Sequence, residues 1–249
     1  MNIYQTLQKE LDGKVIENET LASYTTFKIG GPARYFFRAE NTASLIKAIK
    51  SAKKLNLPYF ILGKGSNLLV SDKGFKGLVI KLRTKNLELR DNRIVAEAGV
   101  DWNRLIRKAA DANLSGLESL AGIPGTVGAA VYGNVGAYGK SIADVLVSAG
   151  ILTKDNKIKK VKNKWFNFKY RYSKLKDSEE ILLKAEFQLK KGNKEKIKKA
   201  INEILKMRKE KIPLYPSAGS IFKNIELRTL NEKLKTLFQE KAKGGKIAA

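Results

Sequence analysis

The 249-residue chain contains no cysteine and no histidine. Without cysteine there is no disulfide, no thiolate nucleophile and no thiolate metal ligand. Without histidine the side chain that most often moves protons near neutral pH is missing, and so is the commonest metal ligand. An active site must therefore use Ser, Tyr, Lys, Arg, Asp or Glu, or take its chemistry from a bound cofactor. No protein-held metal is expected. Long apolar runs are also missing, and none is long enough to span a bilayer. The start, Met1-Asn2-Ile3-Tyr4-Gln5, lacks the charged-then-apolar order of an export signal, so a cytoplasmic protein is expected.

Acidic side chains are scarce, 24 against 49 basic ones, for a net charge of +25. Such a balance raises the question of nucleic-acid binding. The lysines, however, are scattered through every segment, and no basic run is interleaved with aromatics. The densest run, Lys190 to Lys199, leads into a helix with an apolar face. A solvated lysine-rich surface accounts for this better, and neither nucleic acid nor membrane is expected as a partner. The positive field would still attract an anionic nucleotide substrate.

Glycine is present in two dense clusters. Residues 121–139 hold six: Gly122, Gly125, Gly128, Gly133, Gly136 and Gly139. Glycine loses the most backbone entropy on folding, so this density points to positive φ or to backbone passing very close to something. A cofactor carrying a diphosphate needs both, because main-chain N–H groups must reach its oxygens with no side chain between. The second cluster, Gly63-Lys64-Gly65-Ser66-Asn67-Leu68, follows the apolar run Pro58–Leu62, which reads as a buried strand. It is neither a P-loop nor a Rossmann fingerprint, because the required Gly-Lys-Ser/Thr and third glycine are absent.

Periodicity predicts a helix over Thr42–Leu55, with Leu45, Ile46, Ile49 and Ala52 on one face. Strands are expected at Leu78–Leu82, Ile94–Ala98, Val147–Thr153 and Ile181–Leu189. Asp101 is placed to cap a helix running to about Asn113, and Asn193 one running to about Glu210. Mixed strands and helices followed by a separate helix suit an α+β protein with a different unit beginning near Lys191. The length suffices for a large core in one or two domains.

Several segments together carry a family resemblance. They are Thr26-Phe27-Lys28-Ile29-Gly30-Gly31-Pro32-Ala33, the two glycine clusters, Gly116-Leu117-Glu118-Ser119-Leu120, Tyr170-Arg171-Tyr172-Ser173 and Pro216-Ser217-Ala218-Gly219-Ser220-Ile221-Phe222-Lys223-Asn224. In this order and spacing they resemble the UDP-N-acetylenolpyruvoylglucosamine reductases, the MurB family, in its shorter subtype. The resemblance implies a two-lobed FAD-binding domain of the PCMH (vanillyl-alcohol-oxidase-like) type over residues 1–190, with lobes of about 1–80 and 81–190. A C-terminal substrate domain over 191–249 would follow. It further implies FAD as cofactor, NADPH as hydride donor, a UDP-sugar substrate, a role in peptidoglycan synthesis and a monomeric enzyme. Neither Cys nor His is present to bond the flavin covalently.

Residue by residue, the resemblance assigns cofactor binding to Gly63, Gly65, Ser66, Asn67, Leu68, Ala121, Gly122, Pro124, Gly125, Gly128, Asn134, Gly136, Ala137 and Tyr138. Arg171 matches the arginine that steadies the enolate formed on hydride transfer, and Ser220 the serine that protonates it. Arg208, Lys211 and Asn224 match positions that bind the UDP portion. Taken singly, Arg171 reads equally as a structural ion-pair partner, Ser220 as a turn residue and Arg208 as a helix-end cation. Ile225 stands where the family usually has proline. The family continues past the position of Ala249, and its third catalytic group, a glutamate, lies in that continuation; Glu226 and Glu240 precede it and do not inherit the role. The chain thus reads as a shortened member. Three readings follow: the reductase, a flavoprotein of the same fold with another acceptor such as an oxidase, and a flavin-binding remnant without turnover. Matches at both Arg171 and Ser220 favour the first over the second.

Overall fold

Alternating apolar residues build two sheets, which divide the first 190 residues between them. The computed structural model describes residues 1–211, 215–226, 229–230, 232–238 and 246–247. Helix α1 (Ile3–Glu10) is started by a capping box between Asn2 and Gln5. Strand β1 (Val15–Thr20) then pairs antiparallel with β2 (Pro32–Ala39). Helix α2 (Thr42–Lys54), capped by Asn41, buries Leu45, Ala48, Ile49 and Ala52. It carries the chain back so that β4 (Phe75–Leu82) runs parallel to β2, with β3 (Tyr59–Leu62) parallel on its far side. The sheet order is β1-β2-β4-β3. The strand after Pro58 was expected to be buried, and here the structure corrects the sequence. As an edge strand β3 has a neighbour on one side only, Phe60 is 40% exposed, and Leu62 alone is buried.

Residues 83–86 lead to the second sheet. Strands β5 (Leu87–Arg90) and β6 (Arg93–Glu97) form a hairpin, and α3 (Trp102–Asp111) follows, capped by Asp101 as expected. Short strand β7 (Leu114–Ser115) precedes the glycine cluster, inside which α4 (Val127–Tyr132) is nucleated by the Thr126 side chain accepting from the Ala129 N–H. A two-stranded ribbon, β8 (Gly136–Ala137) with β9 (Lys140–Ser141), comes next. Strands β10 (Leu146–Leu152), β11 (Ile158–Lys162) and β12 (Ile181–Gln188) complete the sheet in the order β11-β10-β12-β6-β5, all antiparallel. Strand β13 (Lys190–Lys191) returns to pair with β7. Helix α5 (Lys194–Lys211) is capped by Asn193, whose side-chain oxygen accepts from the Lys196 N–H at 3.0 Å. It buries Ile197 and lays Ile201 and Ile204 against the main core. Among the described residues no helix is long and apolar enough to cross a membrane.

One apolar cluster joins both sheets. At its centre Trp102 of α3 meets Phe187 of β12 edge-on, ring centroids 5.9 Å apart, and the indole N–H donates to the Leu120 carbonyl at 3.2 Å. This contact fixes α3, and with it Asp101, against the second sheet and the glycine cluster of residues 121–139. Phe187→Ala should therefore cost about 3–5 kcal/mol in urea unfolding, the usual range for a fully buried aromatic. A loss below about 1 kcal/mol would show that the site collapses without harm.

Candidate functional site

The first glycine loop begins where β3 ends. Gly65 has φ +66, and a Cβ there would lie 2.1 Å from the Tyr24 carbonyl oxygen, so only glycine fits. The second loop, Ala121–Thr126, precedes α4. Its Gly125 carbonyl accepts from the Trp102 N–H at 3.1 Å, and the Asn103 side chain spans it, accepting from the Gly122 N–H at 2.7 Å and donating to the Ile123 carbonyl at 3.0 Å.

The two loops touch each other. Ser66 Oγ donates to the Pro124 carbonyl at 2.9 Å. Lys64 forms an ion pair with Asp101, whose carboxylate also accepts from the Arg104 N–H at 2.6 Å. Burial pushes the Asp101 carboxyl up, but Lys64 and the Arg104 N–H outweigh it and hold it low. Between the loops, the main-chain N–H groups of Lys64, Gly65, Ser66, Asn67 and Gly125 donate to no acceptor among the described residues. A Cβ on Gly125 would meet nothing nearer than Ala129 Cβ at 3.9 Å, so its open side faces space.

The segment 216–224 lies across these loops. Thr26 and Ser217 exchange two hydrogen bonds, Oγ1 to carbonyl at 2.7 Å and N–H to carbonyl at 3.2 Å. Asn67 Nδ2 donates to the carbonyls of Ala218 at 2.8 Å and Ser220 at 3.0 Å. At the other end the Asn224 N–H donates to the Tyr170 hydroxyl at 3.4 Å. Ser220 is thus held beside the first glycine loop, and its segment ends at the turn carrying Arg171.

Arg171 takes the left-handed φ of +55, donates from Nη1 to the Gly136 carbonyl at 2.9 Å and lies over the Tyr170 ring. Three further cations gather around it. Lys176 stands over the Tyr132 ring; burial first, then Lys223 and Arg171, lower its pKa, with Asp177 opposing. Arg208 reaches back from α5 over the Tyr138 ring, its Nε buried without a partner and its stem packed on Gly122. Burial is the main cause of its lowered pKa, and Arg171 adds to it while Tyr138 opposes. Like charges crowded together in this way point to a site for an anion.

The other expected site residues are more scattered. Lys211 is exposed at the end of α5, about a turn beyond Arg208. Gly128 lies against Ala98, 3.0 Å from its Cβ and carbonyl oxygen for an added Cβ, and so brings α4 close to the end of β6. Asn134, in positive φ, donates to the Lys169 carbonyl at 2.9 Å and accepts from the Ala143 N–H at 3.1 Å, bracing the Tyr170–Arg171 turn. Leu68 packs on the small cluster of Leu21, Ala33, Phe36, Leu62 and Val79. Ala121 is buried, and Ala137 packs against the main core. Glu240 lies outside the described residues, and Glu226 falls in a short strand, Ile225–Glu226, paired with Lys246–Ile247. Sequence reasoning passed over Lys64, Asp101, Lys176 and Thr26 as site residues. Thr26 and Lys64 stood inside segments singled out in the sequence, and Lys176 three residues after the Tyr170–Ser173 motif, whereas Asp101 was marked only as a helix cap.

Residues 33–162 match a family described as an FAD binding domain. Over 214 residues the chain is 43% identical to the UDP-N-acetylenolpyruvoylglucosamine reductase of Caldanaerobacter subterraneus subsp. tengcongensis, a match spanning 85% of this chain and 71% of that one. The chain belongs to the UDP-N-acetylenolpyruvoylglucosamine reductase (MurB) family. The crystal structure of MurB from Thermus caldophilus is similar with a TM-score of 0.72 at 32% identity, over 91% of this chain and 79% of that one. A VAO-type flavoprotein of Myceliophthora thermophila, 15% identical, shares the fold with a TM-score of 0.54 over 75% of this chain and 46% of its own. The FAD-binding part is therefore of the two-lobed PCMH type, and the protein is an FAD-dependent oxidoreductase.

The residues present fit FAD. A row of unpartnered N–H groups is what a diphosphate needs, and the open side of Gly125 leaves room for it. Gly125→Val would fill that room. The variant should fold, less stable by about 1–3 kcal/mol because its φ of +155 suits only glycine, and should lose FAD on purification. Stoichiometric flavin in the purified variant would show that Gly125 serves only the turn.

Proposed function

We propose that the chain reduces UDP-N-acetylenolpyruvoylglucosamine to UDP-N-acetylmuramate for peptidoglycan synthesis, as a cytoplasmic monomer. The observation that carries this reading is the bridge made by segment 216–224: Asn67 ties the Ser220 backbone to the FAD loop while Asn224 reaches the Tyr170–Arg171 turn. The segment that carries the proposed proton donor thereby runs from the cofactor loop to the turn of the proposed carboxylate-binding arginine. The reading as an inert flavin-binding remnant is not favoured, because this bridge and the cationic pocket are both formed.

FAD held between the Gly63–Leu68 and Ala121–Thr126 loops would supply hydride chemistry, carrying electrons from NADPH to one carbon of the enolpyruvyl double bond. The chain's residues do the rest. Arg171 grips the substrate carboxylate, where charge accumulates as the double bond is reduced, and a guanidinium can do so with two parallel hydrogen bonds. Its left-handed backbone and its hold on the Gly136 carbonyl preset that geometry. The Ser220 hydroxyl gives its proton to the other carbon, a task open to so weak an acid only because the acceptor is strongly basic. Arg208, Lys211 and Asn224 bind the UDP portion, with Lys176 and Lys223 adding to the field that attracts its diphosphate. In this reading residues 1–190 form the FAD-binding domain and residues from 191 onward the substrate unit.

Ser220→Ala separates the two halves of the cycle. Flavin reduction by NADPH should persist near the wild-type rate, while reoxidation by the UDP-sugar slows by about two to four powers of ten, the usual worth of a positioned acid. Stopped-flow absorbance of the flavin reads both. Equal slowing of both halves would mean that Ser220 shapes the site and donates no proton.

A further inference from the structure

Lys81 stands in an otherwise apolar stretch of β4, level with Leu62 of β3 and Arg38 of β2. Its side chain is half-buried beneath the first glycine loop, where Nζ donates to the Gly63 carbonyl and lies 5.9 Å from the centre of the Tyr24 ring. The charged groups facing it come from every neighbouring element. Tyr24 bonds Glu19 of β1 and accepts from Arg38 of β2 at 2.6 Å, and Glu19 is ion-paired to that same arginine. Lys64 is paired with Asp101, and Arg83 lies just past the end of β4. Each nearby carboxylate is thus engaged elsewhere. Lys81 has no carboxylate partner among the described residues.

A trans peptide points its C=O and N–H in opposite directions. With the Gly63 carbonyl turned down onto Lys81, the Lys64 N–H of the same peptide is turned up, and it is the first of the row of unpartnered donors. We propose that Lys81 is a positioning residue for the FAD diphosphate: it locks the Gly63–Lys64 peptide with its N–H toward the phosphates, and its charge gains a counter-charge when FAD binds. This rests on FAD being the cofactor of these loops.

Burial, together with Arg83 and Lys64, pulls the Lys81 pKa down to about 8. A diphosphate overhead favours the protonated amine, so FAD binds the protonated form more tightly and raises that pKa. By linkage, affinity is full below the free protein's value and falls as pH rises through it, and binding takes up a proton in that range. Despite its burial, Lys64 and the Arg104 N–H hold the Asp101 carboxyl low, and burial pushes the Tyr24 hydroxyl up, so both move away from that range.

The test is FAD affinity by flavin fluorescence, from about pH 6.5 to about pH 9.5, on apo-protein that has been refilled. Wild type should bind evenly up to about pH 8 and then weaken by up to about tenfold per pH unit, with proton uptake in weak buffer. Lys81→Arg, charged throughout, should bind tightly with no inflection. Lys81→Met should bind at least about tenfold more weakly at pH 7, also without inflection, while its apo-protein keeps the wild-type circular dichroism. If Lys81→Met does not fold, wild type and Lys81→Arg decide between them. A flat wild-type profile, or an inflection retained in Lys81→Arg, overturns the proposal and leaves the cofactor reading intact. Wild type that takes up no FAD at any pH overturns the cofactor reading, and this inference with it.

Discussion

The site depends on two glycine loops, one after the edge strand of the first sheet and one leading into α4, being held against each other. Neither loop could do this alone. The first hangs from the end of an edge strand, and the second leads into a helix of six residues. They hold each other through Ser66 on the Pro124 carbonyl and Lys64 on Asp101. Asp101 links this clasp to the core, because it also caps α3, the helix whose Trp102 is buried against Phe187. A half-exposed ion pair contributes at most about 1 kcal/mol by itself. Here its value is geometric: it converts the stability of the core into a fixed spacing of N–H donors.

The same economy extends to the substrate side. Asn67 belongs to the cofactor loop, yet its side-chain amide is committed to the carbonyls of Ala218 and Ser220. Asn134 belongs to the glycine cluster of residues 121–139, yet it braces the turn that carries Arg171. Residues of the glycine clusters therefore position the segments that carry Ser220 and Arg171, so in the proposed reaction hydride delivery and the handling of charge and proton would be tied by shared hydrogen bonds. Such cross-bracing is what keeps a preorganised site from loosening.

Legibility in the sequence followed the range of the interactions. Helix α2 was readable from its clear apolar stripe, and α3 and α5 from such a stripe preceded by a local cap, Asp101 or Asn193. The short α4 was hidden, since a run with Gly128 in it carries little helical signal and owes its existence to packing on Ala98. The exposure of β3 was misjudged because an apolar run does not say whether it has one neighbour or two. Glycine density marked both loops, and motif order marked Arg171 and Ser220. The clasp between Lys64 and Asp101 left no trace, because nothing in a sequence says that two charges on separate sheets will meet.

The absence of histidine and cysteine explains how the chemistry is shared out. With neither imidazole nor thiol, the protein lacks the side chains whose ordinary pKa values lie nearest pH 7. In the proposed reaction it would rely on fixed cations, on a hydroxyl that acts only against a strong base, and on a cofactor for the electrons. Fixed cations are costly to gather, as the lowered pKa values of Lys176 and Arg208 record. They repay that cost only when the anionic ligand is in place. The stacking of Arg171, Lys176 and Arg208 over tyrosine rings is the interim solution, because a ring face partly replaces lost water without competing for the incoming phosphate or carboxylate.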